Sequence, residues 1–157
     1  MGLSKLEDII NYRFNDQNFL QRALTHRSAA AKNNERLEFL GDSIFGAIVA
    51  DYFYLMLSSA SEGELSRMRS RVVRRESLAD VARKINLGPY LLLGSGEIKV
   101  GSRDRDSILA DSLEALIGAI YLDGGFANAH QFVLHWFSEN LENAIRARAV
   151  KDAKTTL

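Results

Sequence analysis

Two stretches of this chain set acids into segments that are otherwise apolar. Helical spacing gathers the acids of each stretch on one face. In Asn34–Ile44, read NERLEFLGDSI, the acids Glu35, Glu38 and Asp42 stand at i, i+3 and i+7. At about 100° per residue they fall within about 60° of one another. The same spacing predicts Leu37, Leu40, Ile44 and Ile48 on the opposite side. In Ser107–Leu122, Asp111 and Glu114 share a face of a run that is almost wholly apolar, which predicts a buried helix. Ala115 and Gly118 lie on the same side as these acids and would let another helix come close. No Lys or Arg follows Glu35, Glu38 or Asp42 at i+3 or i+4, and Glu38 and Asp42 are themselves a like-charge i,i+4 pair.

Placed side by side, the two helices bring four or five carboxylates together. At about 5 Å and an effective dielectric near 20, each close pair repels by roughly 3 kcal/mol. Unpaired carboxylates in a buried helix need a counter-charge. An all-oxygen cluster without His or Cys suits a hard cation such as Mg²⁺ or Mn²⁺. Carboxylate-held Mg²⁺ serves displacement at phosphorus, activating water and stabilising the leaving oxygen. A solvated acidic face would satisfy the same spacing. Phe39 and Gly46 lie beside the acids, however, where such a face would carry Lys, Gln or Glu. Phe39 is either a core aromatic or an exposed knob that a partner subunit covers, and its place beside the acids favours the knob.

The rest of the chain reads as one all-α domain. Its 157 residues hold one Pro and no Cys, so disulfides and thiolate metal sites are excluded. Apolar spacings of three and four dominate. The first ten residues, MGLSKLEDII, resemble neither a signal peptide nor a membrane span. Net charge is zero, so bulk charge argues neither for nor against nucleic acid. A short helix is predicted over Leu3–Tyr12. A second is capped by Asp16 and runs to about Thr25, with Phe19, Leu20 and Ala23 inward. Thr25–Ser28 reads as a turn, with His26 packed or hydrogen-bonded. The acidic helix is predicted from Asn34 to about Leu57, its second half buried at the centre of the domain.

Ser61-Glu62-Gly63-Glu64 has the spacing of a capping box and should start the next helix. Leu65–Arg75 carries five arginines and no acid, with Arg67, Arg71 and Arg74 on one face. That stripe is either a solvated face or a track for phosphates. Helix resumes over Glu76–Ile85 after a kink and ends at Asn86–Pro89. Gly94-Ser95-Gly96 lacks the Gly-Lys-Ser/Thr of a phosphate loop. Glu97–Asp106, with Lys99, Arg103 and Arg105, is predicted to be a mobile loop that either serves structure or touches a substrate. Asp123-Gly124-Gly125 stops the second acidic helix. One last helix is expected over Ala127–Ala149, with Phe132, Val133, Trp136, Phe137, Leu141 and Ile145 packing. His130 and His135 are expected to be surface or packing residues. Residues 151–157 form a polar tail.

Four segments, ALTHRS at Ala23–Ser28, NERLEFLGDS at Asn34–Ser43, GELSRMRSRVVRRESLA at Gly63–Ala79 and SILADSLEALIGAIYLD at Ser107–Asp123, resemble the ribonuclease III family. The likeness spans roughly residues 3–150. It implies an all-α endonuclease domain over 1–150 that acts as a homodimer on double-stranded RNA. Mg²⁺ would be the cofactor, with Mn²⁺ able to substitute. The products would carry 5′-phosphate and 3′-hydroxyl ends with a short 3′ overhang, from rRNA precursors and other structured RNAs. The implied setting is the cytoplasm, with no membrane and no organic cofactor. Glu38, Asp111 and Glu114 would hold the metal, and Asp42 and Glu114 would be catalytic. Glu35 and Glu62 would stand behind the site or face the partner, whose pocket would seat Phe39. Arg67, Arg71, Arg74, Lys99 and Arg103 are candidate RNA contacts, and the resemblance also makes the Thr25–Ser28 turn with His26 a candidate contact to the site or the RNA backbone. The tail resembles a linker, or the start of the double-stranded-RNA-binding module that usually follows this domain. Two rivals are an inactive dimeric RNA-binding or scaffold protein of the same fold, and a di-iron helical bundle. The second wants Glu-x-x-His pairs, and none occurs here.

Overall fold

The structure, a computed structural model, describes residues 2–156, side chains excepted at 155 and 156. Among the described residues eight α-helices run in order: α1 Leu3–Ile10, α2 Gln17–Ala23, α3 Glu35–Met56, α4 Glu62–Val73, α5 Arg75–Ile85, α6 Ser95–Lys99, α7 Asp106–Trp136 and α8 Ser138–Thr156. Two short 3₁₀ turns, Gly88–Tyr90 and Ser102–Asp104, complete them. Several boundaries have a local cause. Asp16 accepts the Asn18 amide at the start of α2. Ser61 and Glu64 form a reciprocal capping box at the start of α4. Arg74, in extended backbone, separates α4 from α5.

The core is built on the pairing of α3 with α7, its most extensive interface. Helices α5 and α2 pack on α7, α4 packs on α3, and α8 packs on α4. From Ile108 to Ile120 α7 is buried, apart from Asp111, and Glu114 goes in with it. The buried stripe of α3 is Leu37, Gly41, Phe45, Ile48, Val49 and Phe53. This corrects the face read from spacing: Leu40 and Ile44 are only half-buried, and the acids flank the buried stripe rather than oppose it. The cause is a glycine contact. A Cβ on Gly41 would lie 1.7 Å from the Glu114 carbonyl oxygen, and one on Gly118 would lie 2.5 Å from that of Leu37. The two backbones touch there, so the line of contact passes through Gly41.

Three further expectations change. The C-terminal part of α3 is not enclosed: Tyr54, Leu55 and Met56 are all exposed, as is Phe39 at 78 %. By length and composition α3 would suit a membrane, but part of its apolar surface is the buried stripe that packs in the core. The expected last helix is broken at Phe137, which leaves helical geometry while its side chain is buried against Phe45. The break lets α8 turn toward α4, and α8 continues through the polar tail to Thr156. The expected mobile loop is instead built from α6 and a 3₁₀ turn. Arg103 Nη1 donates to the carbonyls of Gly88 (3.1 Å) and Leu91, and Ser102 is hydrogen-bonded to Glu97.

At the expected stop, Gly125 adopts φ +84° and breaks α7. Asp123, just before it, accepts from the Tyr12 hydroxyl (2.5 Å) and from the amides of Asn15 and Asp16. That carboxylate ties the entry to α2 onto the middle of α7. It also pushes the Tyr12 hydroxyl well above the ordinary phenol range, with burial the larger cause.

Candidate active site

The crossing of α3 and α7 brings the two acidic motifs together. Glu38, Asp111 and Glu114 offer carboxylate oxygens that all lie within 4.8 Å of one another. Glu38 and Asp111 are half-buried, and Glu114 is buried at 8 % exposure. Asp42 is exposed at the outer edge of the cluster, one turn along α3 from Glu38, and its carboxylate contacts that of Glu114. Glu35 is exposed and lines a cleft with Glu38 and Asp111. Glu62, at the start of α4, is exposed and is not among the residues lining that cleft.

The electrostatics are strained in one direction. Burial, then the hydrogen bond and charge of Asp42, pushes the Glu114 carboxyl up to about 9. Burial, then the neighbouring Asp111, Glu35 and Asp42, pushes Glu38 up to about 7. Burial raises Asp111 also, against the opposing pull of Glu38, Arg75 and His26. Among the described residues, no ion pair within 4.0 Å involves Glu38, Asp42, Asp111 or Glu114. Beyond the pull of Arg75 and His26 on Asp111, the cluster therefore lacks a directly paired counter-charge for its three adjacent carboxylates. An all-oxygen donor set of this kind fits a divalent hard cation.

Beside the cluster lies a cleft of about 400 Å³ with a mixed lining. His26, Arg27 and Arg105 stand on it with Glu35, Glu38, Glu97 and Asp111. His26 is hydrogen-bonded as expected: its Nδ1 lies 2.7 Å from the Ser28 hydroxyl and accepts the Ser28 amide. Sequence reasoning missed Arg75, whose charge bears on Asp111 from the start of α5. Its place at the end of an acid-free arginine run was the available signal, but the fold was needed to aim it.

The other candidate RNA contacts lie apart from the acids. Arg67 and Arg71 are exposed and line a groove of about 790 Å³ between α4 and α8, which also takes in Arg148. Arg74 is exposed at the C-terminal cap of α4. Lys99 is exposed at the end of α6, while the Arg103 guanidinium is engaged by backbone carbonyls. His130 lies near Asp51, with 3.7 Å between Nε2 and Oδ2.

An all-helical bundle that presents a half-buried carboxylate triad beside an open, partly basic cleft has the donor set of a hard-cation site. Comparison with known proteins makes the class specific. The family model described as Ribonuclease-III-like matches residues 16–141. Ribonuclease 3 of Hahella chejuensis is 50% identical over 155 residues, which cover 99% of this chain and 69% of that protein. Ribonuclease 3 of Pseudomonas fluorescens is 50% identical over 157 residues, covering 100% of this chain and 69% of that protein. Among solved structures, the nuclease domain of ribonuclease III from Campylobacter jejuni superimposes with a TM-score of 0.87 at 40% identity. That match covers 90% of this chain and 99% of that one, in a structure described as flexible in a region involved in dimer formation. Dicer from Pichia stipitis matches at a TM-score of 0.64 and 27% identity, covering 82% and 57% of the two chains. The chain belongs to the ribonuclease III family, and its class is that of an endoribonuclease, a hydrolase of RNA.

Proposed function

We propose that this chain is a Mg²⁺-dependent endonuclease of double-stranded RNA, active as a homodimer in the cytoplasm. The observation that carries this reading is the meeting of Glu38, Asp111 and Glu114 within 4.8 Å on a member of this family. These three would hold the cation, which Mn²⁺ could replace. When bound, the cation supplies Lewis-acid stabilisation of charge at the scissile phosphate. Asp42, in contact with Glu114, orients the attacking water. No side chain bonds covalently to the RNA: water adds to phosphorus, the bond to the 3′-oxygen breaks and that oxygen takes up a proton, which leaves a 5′-phosphate and a 3′-hydroxyl. Two sites in a dimer would cut opposite strands and leave a short 3′ overhang on rRNA precursors and other structured RNAs. Residues 1–150 constitute the nuclease domain on this reading, with 151–157 as a linker.

Dimerisation is supported by the outward face of α3. Phe39, Ser43, Ala47 and Tyr54 stand exposed along it, a surface on which small residues allow close helix approach and aromatics supply burial. Glu35 and Glu62 would face the partner or stand behind the site. Cleavage of a long RNA duplex at low salt, with Mg²⁺ or chelator, tests the reading when run beside Glu114→Gln. Mg²⁺-dependent cutting that the variant loses, with its dimer intact, is the expected result. Duplex binding without cutting under every condition would instead favour an RNA-binding scaffold.

A further inference from the structure

The cleft beside the carboxylates has features that the cation site does not use. It is reached by the N-terminal end of α7, where Ser107 and Ile108 form part of its wall. The first intrahelical bond there is Leu109 N–H to the Arg105 carbonyl. The amides of Asp106, Ser107 and Ile108 thus have no helical partner, and no side chain caps them. Ser112 also lines the cleft, and its buried hydroxyl has no hydrogen-bond partner. A buried polar group in that state calls for a ligand or water to satisfy it. Arg27 and Arg105 are exposed on the same cleft. Because Nδ1 of His26 accepts an amide, its proton resides on Nε2, so this ring is a donor in either charge state.

Free helix amides, two guanidiniums and an imidazole N–H form a set of donors for an anion. Glu35 and Glu97 also border the cleft; the Glu97 carboxylate is hydrogen-bonded by Ser102 and draws on the charges of Arg105, His26 and Arg27, so a phosphate seated there shares those donors with it. We propose that Arg27, Arg105, His26 and the uncapped start of α7 seat a backbone phosphate of the RNA strand that neighbours the phosphate being cut. The donors lie along the edge of the cleft shared with Glu38 and Asp111, so holding one phosphate there would fix the next against the cation site. This rests on the nuclease reading above and assigns its substrate-positioning residues.

The test uses the chain with Arg27→Gln and Arg105→Gln, singly and together, after melts confirm unchanged folding. Duplex binding is measured first, in chelator, against salt. Each phosphate neutralised contributes about 0.9 to the logarithmic salt slope, so the double variant, which loses one seated phosphate, should lose up to about 0.9. Cleavage is then measured on duplexes carrying one neutral methylphosphonate, placed in turn at each position around the cut. At one flanking position the substitution should lower kcat for the unmodified chain on the order of tenfold, the loss of one charge-assisted contact. It should have no further effect in the double variant. An unchanged salt slope, or a methylphosphonate effect that persists undiminished in the variant, overturns the seat. Failure of the unmodified chain to cut any natural duplex overturns the nuclease reading itself. Inorganic phosphate is included as a competitor: inhibition that the double variant loses, with no flanking-phosphate effect, would assign the cleft to free phosphate and overturn the RNA seat.

Discussion

At the scale of single residues, the three clustered carboxylates make a testable link between pH and stability. Glu38 and Glu114 retain protons in the folded chain to about 7 and about 9, above the ordinary 4.5. The native state therefore binds more protons than the unfolded one across that window. Their contribution to stability is fully present below the ordinary value and is lost as pH rises through the folded values. Glu64, Glu97 and Asp123 are shifted the other way, so they are ionised in both states above pH 5 and add no slope there. Melts in chelator from pH 5 to 9 should show a falling midpoint. Glu114→Gln should flatten that fall, and Mg²⁺ should restore stability most at the alkaline end, where the ligands are already deprotonated. A midpoint that is flat or rising in chelator would mean the acids are not under mutual strain.

At the scale of elements, the crossing of α3 and α7 depends on the absence of two side chains. Gly118→Ala would place a methyl 2.5 Å from the Leu37 carbonyl and 3.1 Å from the Gly41 nitrogen. Overpacking of this kind costs about 1–3 kcal/mol. Denaturant melts should register that loss, and Mg²⁺ titration should show weakened binding as Glu38 is moved away from Asp111 and Glu114. Retained stability with retained metal affinity would mean that the helices have room to slide. Much at this scale was legible in sequence. The periodicity of Glu35–Asp42 and Asp111–Glu114, the capping box at Ser61 and the cap at Asp16 are local signals, read within a turn or two. The role of Gly118 was half-legible, since a small residue on an acidic face invites a neighbour. Gly41 was not, because only the partner backbone shows what a Cβ would strike. The break at Phe137 and the carbonyl clasp of Arg103 were hidden for the same reason: each is set by burial against distant residues, against which local pattern is silent.

At the scale of the whole molecule, the exposed stripe on α3 and the arginines of α4 make separate predictions. Phe39→Ala should weaken self-association by on the order of 3–5 kcal/mol if the ring is fully buried between subunits. Sedimentation across a dilution series measures this, and an unchanged profile would remove Phe39 from the interface. Reversing the charge of Arg67, Arg71 and Arg74 together should weaken duplex binding and flatten its salt dependence. Equal affinity and slope would leave the stripe a solvated face. The contact of Gly41 with Glu114 and Gly118 joins residues 73 and 77 positions apart in the chain, counting 114 − 41 and 118 − 41. Each half of the carboxylate triad is harmless by itself, a few acids on a separate segment. If these carboxylates are the proposed site, a chain emerging from synthesis has no assembled site until the second segment has been made and docked, so such a nuclease would be inert toward surrounding transcripts until its own folding is complete.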